Sequence, residues 1–147
     1  MKTVIIYHSY HHGNTKKLVE AVAQGREITL IDAAIQKEAD LAPYGLIGFA
    51  SGVYFGKFHE SVLAFARKSL PENKRVFFLC TYGGGGGTKA ISDIAKSKSA
   101  EILGEFGCKA YDTFGPFKLM GGINKGRPNA QDLEDARRFF DRICGKP

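Results

Sequence analysis

In the stretch "HSYHHGNT", residues 8–15, almost every side chain can donate or accept a hydrogen bond. Ser9, Tyr10 and Thr15 carry hydroxyls, Asn14 an amide, His11 and His12 imidazoles, and Gly13 allows a tight turn. Between an apolar run and a helical one, such a turn aims these donors and the first helical N–H groups into one space. That combination holds anions, phosphates in particular. A second stretch, "SGVYFGK", runs through Ser51, Gly52, Val53, Tyr54, Phe55 and Gly56. Two aromatics flanked by glycines suit stacking on a flat ring. A third, "CTYGGGGGTKA" from Cys80 to Ala90, sets Thr81 and Tyr82 before five glycines that begin with Gly83 and Gly84.

The glycine run invites comparison with a nucleotide-triphosphate loop, GxxxxGK[ST], and fails it twice. Thr88 stands where the last glycine is needed, and Ala90 follows Lys89, so no hydroxyl is placed to hold magnesium. A metal site at His8, His11 and His12 is disfavoured because no carboxylate or thiol lies near them in sequence. "GFASG" has its serine one place late for a hydrolase elbow. A phosphotransfer receiver would need an aspartate ending its third strand, where Ala50 and Ser51 stand.

These three stretches must be held by the elements before and after them. Short apolar runs "TVIIY", "EITLID", "GLIGFA" and "RVFFLC" predict four strands, and "KAYDTF" (Lys109–Phe114) a fifth. Between them, Leu18, Ala21 and Val22 before Gly25 predict one helix, and Val62, Leu63, Ala66 and Leu70 before Pro71 another. Ile91, Ile94, Ala95, Ile102, Leu103 and Phe106 extend a third helical face as far as Gly107. The last helix is capped by Asn129 with Asp132 three residues on, and turns Leu133, Ala136, Phe140 and Ile143 inward. Only a weak helix or none fits between the second and third strands. Near-continuous apolar strands alternating with helices predict an α/β fold, a doubly wound five-stranded parallel sheet forming a single domain over residues 1–147. In such a sheet ligands bind beyond the carboxyl ends of the strands, where all three stretches fall.

The 147 residues carry a net charge of +6 and a sequence pI near 9.3. No more than two basic residues are adjacent and no zinc-finger or RNP-like pattern appears, so no nucleic-acid partner is expected. No apolar stretch reaches the ~18 residues of a membrane span, so no membrane association is expected either. Three widely spaced cysteines, Cys80, Cys108 and Cys144, read as reduced thiols of a cytoplasmic protein.

"HHGNT" and "SGVYFGK", with the "NKGRPN" approach to the last helix, resemble the short-chain members of the flavodoxin family. The resemblance spans the chain and implies a flavodoxin-like sheet in the order 2-1-3-4-5. It implies FMN as cofactor, its phosphate held by Ser9, Tyr10, His11, His12, Gly13, Asn14 and Thr15. The flavin ring would lie between Ser51–Gly56 and the Thr81–Gly84 stretch, with Tyr82 beside it and glycine backbone close to its edge. The implied activity is electron transfer or a small flavin oxidoreductase of the NAD(P)H or quinone type, with no catalytic side chain because the flavin carries the chemistry. Its partner would be a redox protein or a small electron donor or acceptor. Two departures stand out: the paired histidines, where the family often has small or hydroxyl residues, and a basic chain where low-potential shuttles are usually acidic. The alternative is a flavodoxin-like binding domain that has lost FMN or holds it weakly.

Overall fold

The structure is a computed structural model that describes residues 2–9, 13–83, 87–110 and 126–145. β1 (Thr3–His8) is buried along its whole length. The first six residues of β3 (Leu46–Tyr54) and the middle of β5 (Arg75–Tyr82) are buried as well. Strands covered on both faces need apolar side chains in both directions, which is why these segments read as unbroken apolar runs. β2 (Ile28–Asp32) and β6 (Glu101–Lys109) close the edges and are more exposed. The order is β2-β1-β3-β5-β6, every neighbouring pair parallel. A two-residue strand, β4 (Lys57–Phe58), pairs antiparallel with β3 beside this path. Apart from that extra strand, the arrangement is the expected 2-1-3-4-5.

α1 (Asn14–Ala23) and α4 (Ala130–Ile143) pack on one face, where Leu18, Val22, Ala136 and Phe140 meet Ile5, Leu46, Phe77 and Leu79. α2 (Glu60–Ser69) and α3 (Lys89–Ser97) cover the other, joining Val62, Phe65, Ile91 and Ala95 to Ile6, Phe49 and Phe78. No helix intervenes between β2 and β3, as expected. α4 starts at a complete capping box: Asn129 Oδ1 accepts the Asp132 N–H, and the Asp132 carboxylate accepts the Asn129 N–H.

The third helix and the fifth strand differ from expectation. α3 ends at Ser97 and the chain turns over Lys98–Ser99, with Ser99 at φ 56°. The expected second half of that helix is β6, and Tyr111–Phe114 of the strand predicted at "KAYDTF" lie outside the described residues. A register shift opposite Val76 and Phe77 makes the two patterns look alike: β6 skips Leu103. Leu103 and Phe106 therefore share the α4 face while Ile102 packs on the other. Apolar residues spaced one and then three apart, Ile102, Leu103 and Phe106, suit a bulged strand as well as a helix.

Cys80 and Cys108 are free thiols. Cys80 and Cys108 are buried on opposite faces of the sheet. Burial pushes Cys80 up to about 11 and Cys108 up to about 12, leaving both as unreactive thiols at neutral pH. Among the described residues no helix is long and apolar enough to cross a membrane.

Candidate functional site

The carboxyl edge of the sheet gathers the three stretches. At β1, Gly13 occupies the cap position of α1 at φ 65°, a left-handed conformation that glycine adopts without steric cost. Gly13 itself brings no side-chain cap, and the first turn of α1 contains no acid but both Lys16 and Lys17. α2 and α4, by contrast, each place an acid there, Glu60 and Asp132. The positive end of the α1 dipole is thus reinforced instead of neutralised. Ser9 Oγ accepts the Lys16 N–H at 3.0 Å, drawing the end of β1 to the helix start. The buried Thr15 hydroxyl lies 2.9 Å from that of Thr81, tying α1 to the end of β5. Asn14 is buried beside it. Tyr10, His11 and His12 of this group lie outside the described residues.

The stretch read as a loop after the third strand is largely strand. Ser51, Gly52, Val53 and Tyr54 continue β3, and a two-residue turn at Phe55–Gly56 leads into β4. Phe55 and Gly56 have φ 51° and 79°, the left-handed pair of a tight hairpin whose twist matches its strands. Ser51 is fully buried and its hydroxyl is engaged within the chain: it accepts the His59 N–H at 2.9 Å and donates to the Gly52 carbonyl at 2.6 Å. Val53 pairs with Phe58, and Phe58 is the aromatic of this hairpin that enters the core. Tyr54 folds back over Gly52, where a Cβ would stand 3.2 Å from its hydroxyl. Phe55 is 88% exposed.

At β5, Thr81 is buried and Tyr82 half-buried, Gly83 follows it, and Gly84 lies outside the described residues. Where the chain is next described, Gly87 runs against the hairpin: a Cβ there would collide with the Gly56 carbonyl and lie 3.2 Å from the Lys57 nitrogen. Gly87 and the aromatic hairpin thus touch backbone to backbone. A cleft of about 550 Å³ opens between them and β6, lined by Gly56, Tyr82, Gly87, Thr88, Lys89 and Glu105 among others. That volume is in the range of small-molecule sites. The N-terminus of α3, again without an acid in its first turn, faces this region through Thr88 and Lys89.

One grouping has little sequence signal. His8, at the end of β1, stacks on His59 with ring centroids 3.7 Å apart and planes 9° from parallel. Tyr54 meets the His59 ring edge-on at 5.4 Å. His59 also caps α2, its Nδ1 accepting the Ser61 N–H at 3.1 Å, so its ring hydrogen sits on Nε2. Burial, chiefly, holds His8 below its ordinary 6.5; the neighbouring His59 and Lys37 push the same way and Asp32 opposes. Burial also lowers His59, with Lys37 assisting and Glu60 opposing. Protonating His59 at Nδ1 would cost the cap.

The sign of the pH effect follows. With the folded values depressed, the unfolded chain binds protons first, so this contribution to stability is fully present above 6.5 and is lost as pH falls through the folded values. Denaturant midpoints measured from about pH 8 down to about pH 5 are expected to decline. His59→Asn, which can still cap α2, is expected to flatten that decline. An unchanged slope in the variant would remove His59 from the account.

Residues 4–110 match the protein family described as a flavodoxin domain. An uncharacterised protein of Methanocaldococcus jannaschii is 41% identical, the match covering 97% of this chain and 98% of that protein. Among solved structures, a flavodoxin from the domain Archaea superposes with a TM-score of 0.66 at 18% identity, over 97% of this chain and 96% of its own. The flavodoxin of Streptococcus pneumoniae TIGR4 gives 0.66 at 16% identity, over 97% and 98%. At those identities the structural likeness speaks for the fold.

Proposed function

Because the chain belongs to the flavodoxin family, we propose that it binds FMN at the carboxyl edge of its sheet and serves as an electron-transfer flavoprotein. The observation that carries this reading is the start of α1: a left-handed glycine at the cap position, no acid in the first turn, two lysines, and the Thr15 hydroxyl fixed against Thr81. A phosphate is the group such a terminus suits.

Ser9, Asn14 and Thr15 would hold the phosphate, with Tyr10, His11 and His12 completing the turn. Tyr54, Tyr82 and the backbone of Gly83, Gly84 and Gly87 would flank the ring, Phe55 at the hairpin tip beside them. Ser51, Gly52, Val53 and Gly56 would serve as the frame that sets Tyr54 and Phe55 in place, since the Ser51 hydroxyl is already used within the chain. When bound, FMN supplies one- and two-electron redox chemistry. The chain contributes the anion site, the aromatic walls and a basic rim.

The test is binding with a phosphate-specific control. The purified protein is expected to carry FMN by absorption spectrum and mass, or to take it up when it is added. Thr15→Val is expected to weaken FMN at least about tenfold, the scale of a lost charge-assisted hydrogen bond, and to leave riboflavin nearly unchanged. Thr81→Val breaks the same Thr15–Thr81 bond while keeping the Thr15 hydroxyl, so it separates ligand contact from scaffold. No binding at excess FMN would overturn the reading.

A further inference from the structure

We infer that this carboxyl edge is the docking surface of an acidic redox protein, an inference that rests on the flavoprotein reading. It starts from how the cations are paired. Away from the edge they are engaged within the chain: Arg26 pairs with Asp141 at 2.7 Å, Lys68 with Glu38 at 2.8 Å and Arg138 with Glu134 at 3.3 Å, while Lys74, Lys98 and Arg137 donate to backbone carbonyls. Lys96 and Arg142 lie in the last turns of α3 and α4, where the helix dipole itself favours a cation. Lys16, Lys17, Lys57 and Lys109 have neither arrangement. All four are exposed at the carboxyl edge, and their ammonium groups form no ion pair among the described residues.

The acids near that edge are already engaged. Glu60 pairs with Arg67, Asp93 with Lys89 and Asp132 with Arg127, while Glu105 accepts the Thr88 hydroxyl and Asp32, at the end of β2, the Ala34 N–H. The surplus there is positive. At its middle stands Phe55, 88% exposed and held at φ 51°, a backbone region that side chains other than glycine rarely adopt. A large apolar side chain amid a charged rim is the pattern of an interface anchor, with the charges steering approach and excluding wrong partners.

The spread of the charges argues for a protein. Lys16 and Lys17 start the helix that follows β1, Lys57 lies on the hairpin that follows β3, and Lys109 ends β6, three strands beyond β1. Three strand spacings of about 4.8 Å are roughly 14 Å, wider than one phosphate or carboxylate can bridge. An acidic protein surface matches that span.

The probes are a small acidic iron–sulfur ferredoxin and, as the opposite charge, a basic cytochrome c. Binding to each is measured by calorimetry on the protein as purified, at low and at physiological salt. The ferredoxin is expected to bind more tightly than the cytochrome, and to weaken about tenfold across the salt step. Lys57→Glu with Lys109→Glu is expected to cost a further tenfold or more, and Phe55→Ser to speed dissociation. Lys96→Glu with Arg142→Glu, the same charge change at the opposite end of the sheet, is expected to have little effect.

Equal binding of the two probes, or equal effects of the two charge reversals, overturns the proposal. So does a loss of NADPH affinity in Lys57→Glu/Lys109→Glu as large as the loss for ferredoxin, which would make the rim a small-nucleotide site. FMN titration of the same samples separates the two readings. Ferredoxin binding without FMN binding sinks the flavin reading, on which this docking proposal rests; FMN binding with no preference for the acidic probe sinks the docking surface alone.

Discussion

Gly48→Ala is expected to cost about 3 kcal/mol of stability, the upper end for overpacking a filled core. Gly48 lies at the middle of β3, in register with Ile5 of β1 and Phe77 of β5. The Phe77 ring folds across the place a side chain would take: a Cβ on Gly48 would collide with Cζ of that ring and lie 2.7 and 2.9 Å from its Cε atoms. The ring cannot simply withdraw, because Phe139 and Phe140 of α4 hold it at centroid distances of 6.4 and 5.6 Å. Alanine would gain about 0.5–1 kcal/mol over glycine in backbone terms, far less than the collision costs. For a chain of this size the net loss should lower the melting temperature by about 10 °C. The double variant Gly48→Ala/Phe77→Leu is expected to recover a good part of it, with a coupling of about 1 kcal/mol or more in the cycle. A coupling near zero would locate the strain elsewhere than in that ring.

The same collision shows how far the sequence could be read. "GLIGFA" announces a strand through its apolar run, and the central strands β1, β3 and β5 follow from such runs. α4 was legible to its cap, because Asn129 and Asp132 are local partners whose spacing defines a capping box. That Gly48 is a socket for Phe77 was not legible, since strand pairing alone brings residues 29 apart in sequence together. β6 was misread for a related reason. The turn ending α3 uses Ser99 at positive φ with neither glycine nor proline to mark it, and the register shift at Leu103 imitates helical spacing. Gly104 and Gly107, two helix-weakening residues three apart, were the available signal.

In the candidate site, the helix start at Gly13–Thr15 was legible because its donors are contiguous. The hairpin was not: tight turns of that class are usually marked by Asn-Gly or Asp-Gly, and here Phe-Gly takes their place. His59 illustrates the limit further. Its stacking on His8 depends on the β1–β3 register, which sets His8 opposite Ser51, and on the Ser51 hydroxyl that accepts the His59 N–H. Neither link can be seen in one dimension.

Gly87→Ala is expected to lower affinity for FMN and riboflavin by the same factor, about tenfold or more. An alanine Cβ at this position would meet the Gly56 carbonyl oxygen and its carbon, the latter at 2.7 Å. Both are backbone atoms of a turn fixed by β3–β4 pairing, so neither can rotate aside as a flexible side chain would. The chain at Gly87 must then move off the hairpin, widening the cleft that Tyr82, Gly87 and Gly56 line together. An about 1 Å displacement in a preorganised site is enough for losses of this size. The start of α1, on the far side of β5 and held by the Thr15–Thr81 hydroxyls, is left in place, so the phosphate contacts should survive. Equal proportional losses for a phosphorylated and an unphosphorylated flavin are therefore the signature of a wall beside the ring. Thr15→Val is expected to give the opposite signature, with FMN affected and riboflavin spared. A Gly87→Ala protein that loses FMN while keeping riboflavin would return the glycines to the phosphate and contradict the placement argued from the hairpin contact. One that binds both flavins as the parent does would take the glycine stretch out of the site.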